Sequence, residues 1–189
     1  MKRAILLGCL ALAVVLVLPA DASTFLSMDH RELLAESDAV VVGRVLTVDS
    51  FWNAEHTMIV TEASVEIQET VVGKARSSVV TIRTYGGQVE SYRIEAHGFP
   101  TFSVDDRVLV FLGRDDNNPD AYSVVGYRLG QYSLVRHADG RTLAVPTMDA
   151  GVRLLNADGV AAPRPVSQDL DELKAQLRSL DRAAVRSIQ

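Results

Sequence analysis

The feature that most constrains this chain is a series of valine-rich segments, separated by glycine-containing turns, between residues 39 and 145. Valine and isoleucine favour extended backbone, and glycine permits tight turns between strands. Residues 58–72 alternate apolar with polar side chains, so one face of this strand is exposed to water. At about fifteen residues the segment is far longer than an ordinary strand of about five or six. A strongly bent strand that serves two sides of a barrel would account for this length.

The other segments fit the same architecture. Residues 39–48 predict a buried strand with a bulge at Gly43, and residues 107–112 are apolar on both faces, which predicts a central strand. Asp139-Gly140 predicts a hairpin turn. Further strands are predicted at residues 78–84, 89–94, 122–127, 131–136 and 142–145. Because a barrel removes exposed sheet edges, these segments predict a small closed or semi-closed β-barrel.

A helix is predicted on each side of the barrel segment. Residues 29–37 predict a short N-terminal helix that covers one end of a sheet. Residues 169–185 predict a C-terminal amphipathic helix with Ser167 as its N-cap. Four leucines share one face of this helix: Leu170, Leu173, Leu177 and Leu180. We interpret this face as one that docks on the chain's own domain, with a partner-binding helix as the alternative.

The N-terminus has the pattern of a secretory signal peptide. Lys2 and Arg3 precede an apolar run over residues 4–18, and Ala22 completes a small-residue cleavage site before Ser23. A membrane anchor is the alternative, but the run of about 15 residues is shorter than the roughly 20 needed to span a bilayer. We therefore predict export to the periplasm or the medium, with no stable membrane anchor after cleavage.

Cys9 is the only cysteine in the chain. The residues before it are similar to a lipoprotein box, but most of the apolar run follows Cys9, so lipidation remains only an alternative. Removal of the signal peptide leaves no thiol, which excludes disulfides, thiol catalysis and zinc–thiolate sites. The net charge is −5, and the chain has no basic cluster, so we expect no nucleic-acid partner.

These observations predict four regions. Residues 1–22 are the signal peptide and residues 23–145 are the barrel domain. Residues 146–166, which contain three prolines, are interpreted as a linker, and residues 167–189 are the C-terminal helix.

One loop has part of a calcium-binding pattern. Asp116, Asn118 and Asp120 occupy alternate positions, as the first ligands of an EF-hand loop do. However, Ala121 stands where glycine is required, and Tyr127 stands where a bidentate glutamate should follow. We interpret residues 114–120 as a polar hairpin loop, and expect no metal and no cofactor.

The sequence contains no catalytic signature such as a G-x-S-x-G elbow. Its four histidines have no metal-binding spacing: His30, His56, His97 and His137. We therefore predict that the chain is not an enzyme. The alternative is a hydrolase in which one of the last three histidines meets a serine and an aspartate in a pocket.

Aromatic residues concentrate near predicted strand ends and loops: Phe51, Trp52, Tyr85, Tyr92, Phe99 and Phe102. Aromatic side chains at the loop end of a barrel can stack on a ligand or contact a partner. Trp52, Tyr85, Tyr92 and Phe99 are the predicted binding residues, whereas Phe102 is predicted to lie in the core.

Several motifs resemble a group of uncharacterised exported bacterial proteins: Ser-Asp-Ala-Val-Val-Val-Gly-Arg-Val at 37–45, Val-Val-Gly-Lys at 71–74, Thr-Tyr-Gly-Gly at 84–87, Gly-Phe-Pro-Thr-Phe at 98–102 and Asp-Arg-Val-Leu-Val-Phe-Leu at 106–112. The first and last strands are also similar to the OB-like barrel of the netrin and tissue-inhibitor-of-metalloproteinase domains. This resemblance implies a mainly β fold, a small OB-like (Greek-key) β-barrel. Inhibitors of that family chelate the protease zinc through an N-terminal cysteine, whereas this chain would begin at Ser23, so their mechanism does not transfer.

Together these expectations predict an exported, non-catalytic binding module that acts through loops at one end of a barrel. A partner such as a secreted protease is one expectation. The first alternative is an inhibitor-like domain that blocks a metalloprotease by steric occlusion, and the second is the hydrolase with an unrecognised site. The sequence does not determine the oligomeric state.

Overall fold

The computed structural model describes residues 24–149 and 152–187. The predicted signal peptide and Cys9 lie outside the described residues. The strands are β1 (Thr24–Leu26), β2 (Ala39–Trp52), β3 (Ile59–Gly73), β4 (Val79–Tyr85), β5 (Gly87–Val89), β6 (Tyr92–Ile94), β7 (Arg107–Arg114), β8 (Tyr122–Val124), β9 (Gln131–Arg136), β10 (Thr142–Pro146), β11 (Arg153–Leu155) and β12 (Gln168–Asp169). The helices are α1 (His30–Ala35), α2 (Leu170–Ser187) and a 3₁₀ turn at Tyr127–Gly130.

Five strands close a barrel in the order β2, β3, β4, β8 and β7. The ring closes because β8 pairs with two strands: it runs parallel to β4 at Ile82 and Tyr122, and antiparallel to β7 at Leu112 and Val124. The other half of β7 pairs with β9, which begins a sheet extension through β10 and β12. The predicted mainly β fold, a small OB-like barrel with a helix near each end, is confirmed.

The long strand β3 lies between β2 and β4 in the barrel. It pairs with β2 along its whole length, and its first half also pairs with β4. The register of β2 against β3 shifts beside Gly43, which confirms the predicted bulge. A Cβ at Gly43 would lie 2.5 Å from the Val65 side chain and 2.7 Å from the Glu66 carbonyl oxygen, so the two strands approach closely only because glycine is there.

The described residues form two main hydrophobic cores, on the inner and outer faces of β2 and β7. The barrel interior contains Val41, Val45, Val110 and Phe102, among others. Phe102 is buried, as predicted. The second core lies outside the barrel, between the β7–β9–β10 sheet and the two helices, and includes Phe111. Because β7 contributes to both cores, its sequence is apolar at consecutive positions.

Both helices dock on the second core. The helix α1 begins at a capping box, in which the Asp29 carboxylate accepts backbone hydrogen bonds from the first turn and Glu32 bonds back to the Asp29 N–H. On α2, Leu173 and Leu177 are fully buried in the second core, which confirms the predicted docking face. The predicted N-cap of α2 was wrong: Asp169, and not Ser167, accepts the backbone N–H groups of the first turn.

Two predicted strands were wrong in extent. The segment 89–94 is a hairpin rather than one strand, because the chain turns at Glu90, which has a φ of 52°. The segment 122–127 stops at Val124 and continues as the 3₁₀ turn. Gly126 has a φ of 66°, a left-handed conformation that interrupts extended backbone.

The segment 146–166, interpreted as a linker, contains ordered contacts in its described part. β11 pairs in parallel with β1, and Val152 and Leu154 are buried beside Phe25 and Met148. The Arg164 guanidinium donates to the carbonyl oxygen of Val152 at 3.0 Å. This segment therefore packs a third, small core against one side of the barrel. Among the described residues, no helix has the length and apolar character needed to cross a membrane.

A half-buried histidine at the start of α1 makes the stability of the fold depend on pH. The His30 Nε2 lies 2.9 Å from the Tyr132 hydroxyl, and its ring stacks on Phe111. Burial lowers the pKa of His30 from its usual 6.5, and the nearby Asp29 carboxylate opposes this only in part. Burial also raises the pKa of Tyr132 to about 12, so its hydroxyl stays protonated. The folded state therefore favours the neutral imidazole.

Because the pKa of His30 is lower in the folded than in the unfolded chain, the unfolded chain binds the proton first as the pH falls. The stability that His30 contributes is fully present above pH 6.5. It is lost as the pH falls from 6.5 through the folded pKa, and below that pKa the loss does not grow further. We expect His30→Gln to reduce the fall in unfolding free energy between pH 7.5 and pH 5, measured by urea denaturation at each pH. His137→Gln removes an exposed imidazole and is the matched control. An equal fall in wild type and His30→Gln would contradict this account.

Candidate functional site

A large cavity opens at one end of the barrel, where β2, β3 and β4 extend beyond the packed interior. Its volume is about 890 Å³, within the range of about 300–1,000 Å³ that ligand pockets occupy. Val48 and Phe102, which belong to or pack on the interior core, form its apolar floor. We call this space the mouth cavity. It is bounded by residues 84–88, 93–97 and 100–102, and by Val48, Ser50, Thr61, Arg128, Asp149 and Val152.

Ser50, Thr61 and Thr84, on three neighbouring barrel strands, line the mouth cavity with hydroxyl side chains, as do Tyr85 and Thr101. The Ser50 and Thr61 hydroxyl oxygens lie 2.7 Å apart on paired strands, and the Thr61 oxygen is 2.6 Å from the carbonyl oxygen of Gly86. The Thr84 hydroxyl donates to the carbonyl oxygen of Pro100 at 3.0 Å. Strand alternation directs these side chains toward the barrel interior, since Ala63 and Ile82 continue the same rows into the core.

Arg128 holds the loops that form the other wall. Its Nε donates to the carbonyl oxygen of Phe99 at 2.8 Å, and its Nη1 donates to the carbonyl oxygen of Thr147 at 3.0 Å. Nη1 also lies 2.7 Å from the Asp149 carboxylate. The guanidinium side chain is only 15% exposed, so one buried cation joins the 98–101 loop to the segment after β10. Gln131 supports the same loop by donating to the carbonyl oxygen of Thr101 at 2.7 Å.

The β5–β6 hairpin forms the third wall and depends on two glycines. Gly86 and Gly87 have φ values of 88° and 124°, which side chains rarely adopt. A Cβ at Gly87 would lie 2.4 Å from both the Ser50 and Thr61 hydroxyl oxygens. The hairpin backbone therefore lies directly against the hydroxyl pair.

A second, smaller cleft of about 600 Å³ shares Thr84, Tyr85 and Pro100 with the mouth cavity. It contains an aromatic cluster in which the Phe99 ring meets Tyr85 at 5.2 Å and Tyr127 at 4.8 Å, both edge-to-face. Phe25 extends the cluster beside Tyr127. Tyr85 lines both cavities and accepts a hydrogen bond from Asn117 at 3.3 Å.

The four predicted binding residues form two separate pairs. Tyr85 and Phe99 meet as described, whereas Trp52 contacts Tyr92 edge-to-face at 5.7 Å and also stacks with His56. The Tyr92 side chain is 61% exposed. Of these four residues, only Tyr85 lines the mouth cavity. Trp52 and Tyr92 are close in sequence to Ser50 and Arg93, which line it.

The sequence reasoning missed the polar lining of the mouth cavity. Ser50, Thr61, Thr84 and Arg128 carry no motif, and they come from strands and a 3₁₀ turn that are far apart in sequence. The one local signal is the Gly86-Gly87 pair, because adjacent glycines favour a tight turn.

The loop with calcium-like spacing is a set of side-chain-capped turns. The Asp115 carboxylate accepts the Asn117 backbone N–H, and the Asn118 side chain accepts that of Asp120. Arg76 donates to the carbonyl oxygen of Pro119. Within residues 24–149 and 152–187, no three histidine, aspartate or glutamate side chains converge as a metal site would require.

The four histidines are dispersed over the molecule. His30 is the first residue of α1 and His56 stacks on Trp52, whereas His97 lines the mouth cavity. His137 lies 3.1 Å from Asp139 in the β9–β10 turn.

Comparison of the chain with protein-family models, with curated proteins and with solved structures finds no match.

Proposed function

We propose that this chain is an exported, non-catalytic binding module whose recognition site is the end of the barrel that carries the mouth cavity. The observation that carries the proposal is the cavity itself: about 890 Å³ of space with an apolar floor and polar walls. Pockets of this size, with a few polar groups placed among apolar ones, are typical of ligand sites in barrel mouths.

Aromatic side chains beside the cavity support the same site. Tyr85 borders it directly, and the exposed Tyr92 ring rests against Trp52 near the hairpin. Such rings add contact area at low cost in side-chain entropy, whether the bound group is a free ligand or part of a protein partner. Arg128 and the hairpin that begins at Gly86-Gly87 hold the cavity walls in place. Binding would therefore cost little conformational entropy in the protein.

The resemblance to netrin and tissue-inhibitor domains enters the proposal only through the barrel. We propose that the chain shares an OB-like barrel with them but not their inhibitory end, because Ser23 would occupy the position of their zinc-chelating cysteine.

The proposal is tested by a nuclear magnetic resonance screen of the mature chain, using a collection of small acids, amines, alcohols, sugars and short peptides. We expect saturable shifts of the amides of residues 84–88 and 93–102 with at least one compound class. Tyr85→Ala should weaken that binding at least fivefold. Val79→Ala, an exposed substitution on the same strand, is the matched control and should bind as wild type does.

If no compound in the collection shifts these amides, the mouth cavity is not a recognition site and the proposed function fails. Saturable shifts confined to another surface would have the same consequence.

A further inference from the structure

The hydroxyl pair in the mouth cavity has a fixed hydrogen-bond direction. A carbonyl oxygen can only accept, so the single Thr61 hydroxyl proton points to the Gly86 carbonyl oxygen, 2.6 Å away. Ser50 lies 2.7 Å from the same Thr61 oxygen, whose proton is already used. Ser50 must therefore donate to Thr61, which leaves only the lone pairs of the Ser50 oxygen for any other group.

The same reasoning applies to Thr84. Its hydroxyl proton is used by the Pro100 carbonyl oxygen at 3.0 Å, so its oxygen also has only lone pairs left. Thr61 and Thr84 are buried, and both line the cavity with Ser50. The deep side of the mouth cavity therefore presents hydrogen-bond acceptors.

The cations of the cavity are already paired. Arg128 bonds the two loop carbonyls and the Asp149 carboxylate, and Arg93 at the rim forms an ion pair with Glu95 at 3.2 Å. Binding an anion at the mostly buried Arg128 would need its bonds to break, whereas binding one beside Ser50 and Thr84 would place negative oxygens next to hydroxyl lone pairs. Both changes are unfavourable in a partly enclosed site.

We propose that the mouth cavity binds a small ligand that carries hydroxyl or amino hydrogen-bond donors on an apolar body. The apolar body contacts Val48 and Phe102, and the donors reach the Ser50 and Thr84 oxygens. Carboxylates and phosphates are excluded by the same acceptors. This inference rests on the proposed function and names the ligand class of that site.

Four compounds share a similar apolar body but differ in their polar group: 2-phenylethanol, 2-phenylethylamine, 2-phenylethyl methyl ether and phenylacetate. Together they distinguish the effects of a hydrogen-bond donor, an acceptor and a negative charge on binding. Each is titrated into the mature chain, and the amide shifts of residues 84–88 and 93–102 are followed. We expect the alcohol and the amine to bind. The ether keeps the oxygen but lacks the donor, so it should bind about fivefold more weakly than the alcohol, and phenylacetate more weakly still.

Two variants locate the effect. Ser50→Ala removes an acceptor and should weaken binding of 2-phenylethanol about fivefold, whereas Ser64→Ala on the outer face of β3 should not. Gly87→Ala pushes a methyl group against the hydroxyl pair and should abolish binding. Its control is Gly140→Ala, which has a similar positive φ of 90° but no heavy atom within 4 Å of the added Cβ. A melting curve confirms that each variant is folded. If Gly87→Ala does not fold, the binding measured with Ser50→Ala decides the test.

The outcomes distinguish this inference from the proposed function. Binding of phenylacetate or the ether as tightly as the alcohol would overturn the donor requirement while leaving the cavity a recognition site. Unchanged binding of 2-phenylethanol to Ser50→Ala would overturn it in the same way. If none of the four compounds binds although others in the wider collection do, the proposed ligand class is wrong. If no compound in the whole collection shifts the amides, the mouth cavity is not a recognition site.

Discussion

Replacement of Arg128 by methionine is expected to lower the free energy of unfolding by about 3 kcal/mol. The reason is that the mostly buried guanidinium bonds the carbonyl oxygens of Phe99 and Thr147 and pairs with Asp149. Methionine fills a similar volume but donates no hydrogen bond, so these acceptors lose their partner inside the protein. Urea denaturation at pH 7 measures the change.

The matched control is Arg44→Met. Arg44 forms an ion pair with Asp105 at 2.6 Å, as short as the 2.7 Å pair of Arg128, but its side chain is 49% exposed. Water replaces the lost partner at such a site, so the loss should stay below about 1 kcal/mol. If Arg128→Met is no more destabilising than Arg44→Met, then Arg128 does not hold the cavity walls.

Leu173→Ala should also cost about 3 kcal/mol of unfolding free energy. Leu173 is 0% exposed and lies in the second core with Leu109 and Phe111 of β7. The substitution removes apolar contacts and leaves a cavity between α2 and the sheet. Because β7 also lines the barrel interior, we expect one cooperative transition at lower urea concentration, measured by both circular dichroism and tryptophan fluorescence.

Gln176→Ala, on the exposed face of the same helix, is the control and should change the unfolding free energy by less than about 0.5 kcal/mol. If Leu173→Ala instead melts α2 alone and leaves the barrel transition unchanged, the C-terminal helix is a separate unit rather than part of the domain core.

Much of the fold was predictable because its signals are local. Four features depend on side chains only a few residues apart: the alternation in β3, the bulge at Gly43, the apolar side chains on both faces of β7 and the leucine face of α2. The extents of the short strands were less predictable. Glu90 adopts a left-handed conformation within an apparently continuous strand, and Asp169 rather than Ser167 caps α2, since both choices depend on neighbouring elements.

The site was predictable only in part. Of the aromatic residues predicted to bind, Tyr85 lines the cavity. The sequence did not reveal that Trp52 would pair with Tyr92 while Phe99 pairs with Tyr85. These pairings depend on how the 86–106 connection folds back over the barrel end.

The amino-acid order by itself determined that this protein forms a β-barrel with a docked C-terminal helix, because period-two and period-3.6 patterns require only local chemistry. Only the tertiary structure decided that Ser50, Thr84 and Arg128 surround one cavity, and that the hydroxyls face it as acceptors. A hydroxyl's hydrogen-bond direction is set by the partner that takes its proton, and those partners, the carbonyl oxygens of Gly86 and Pro100, reach it only when distant segments come together.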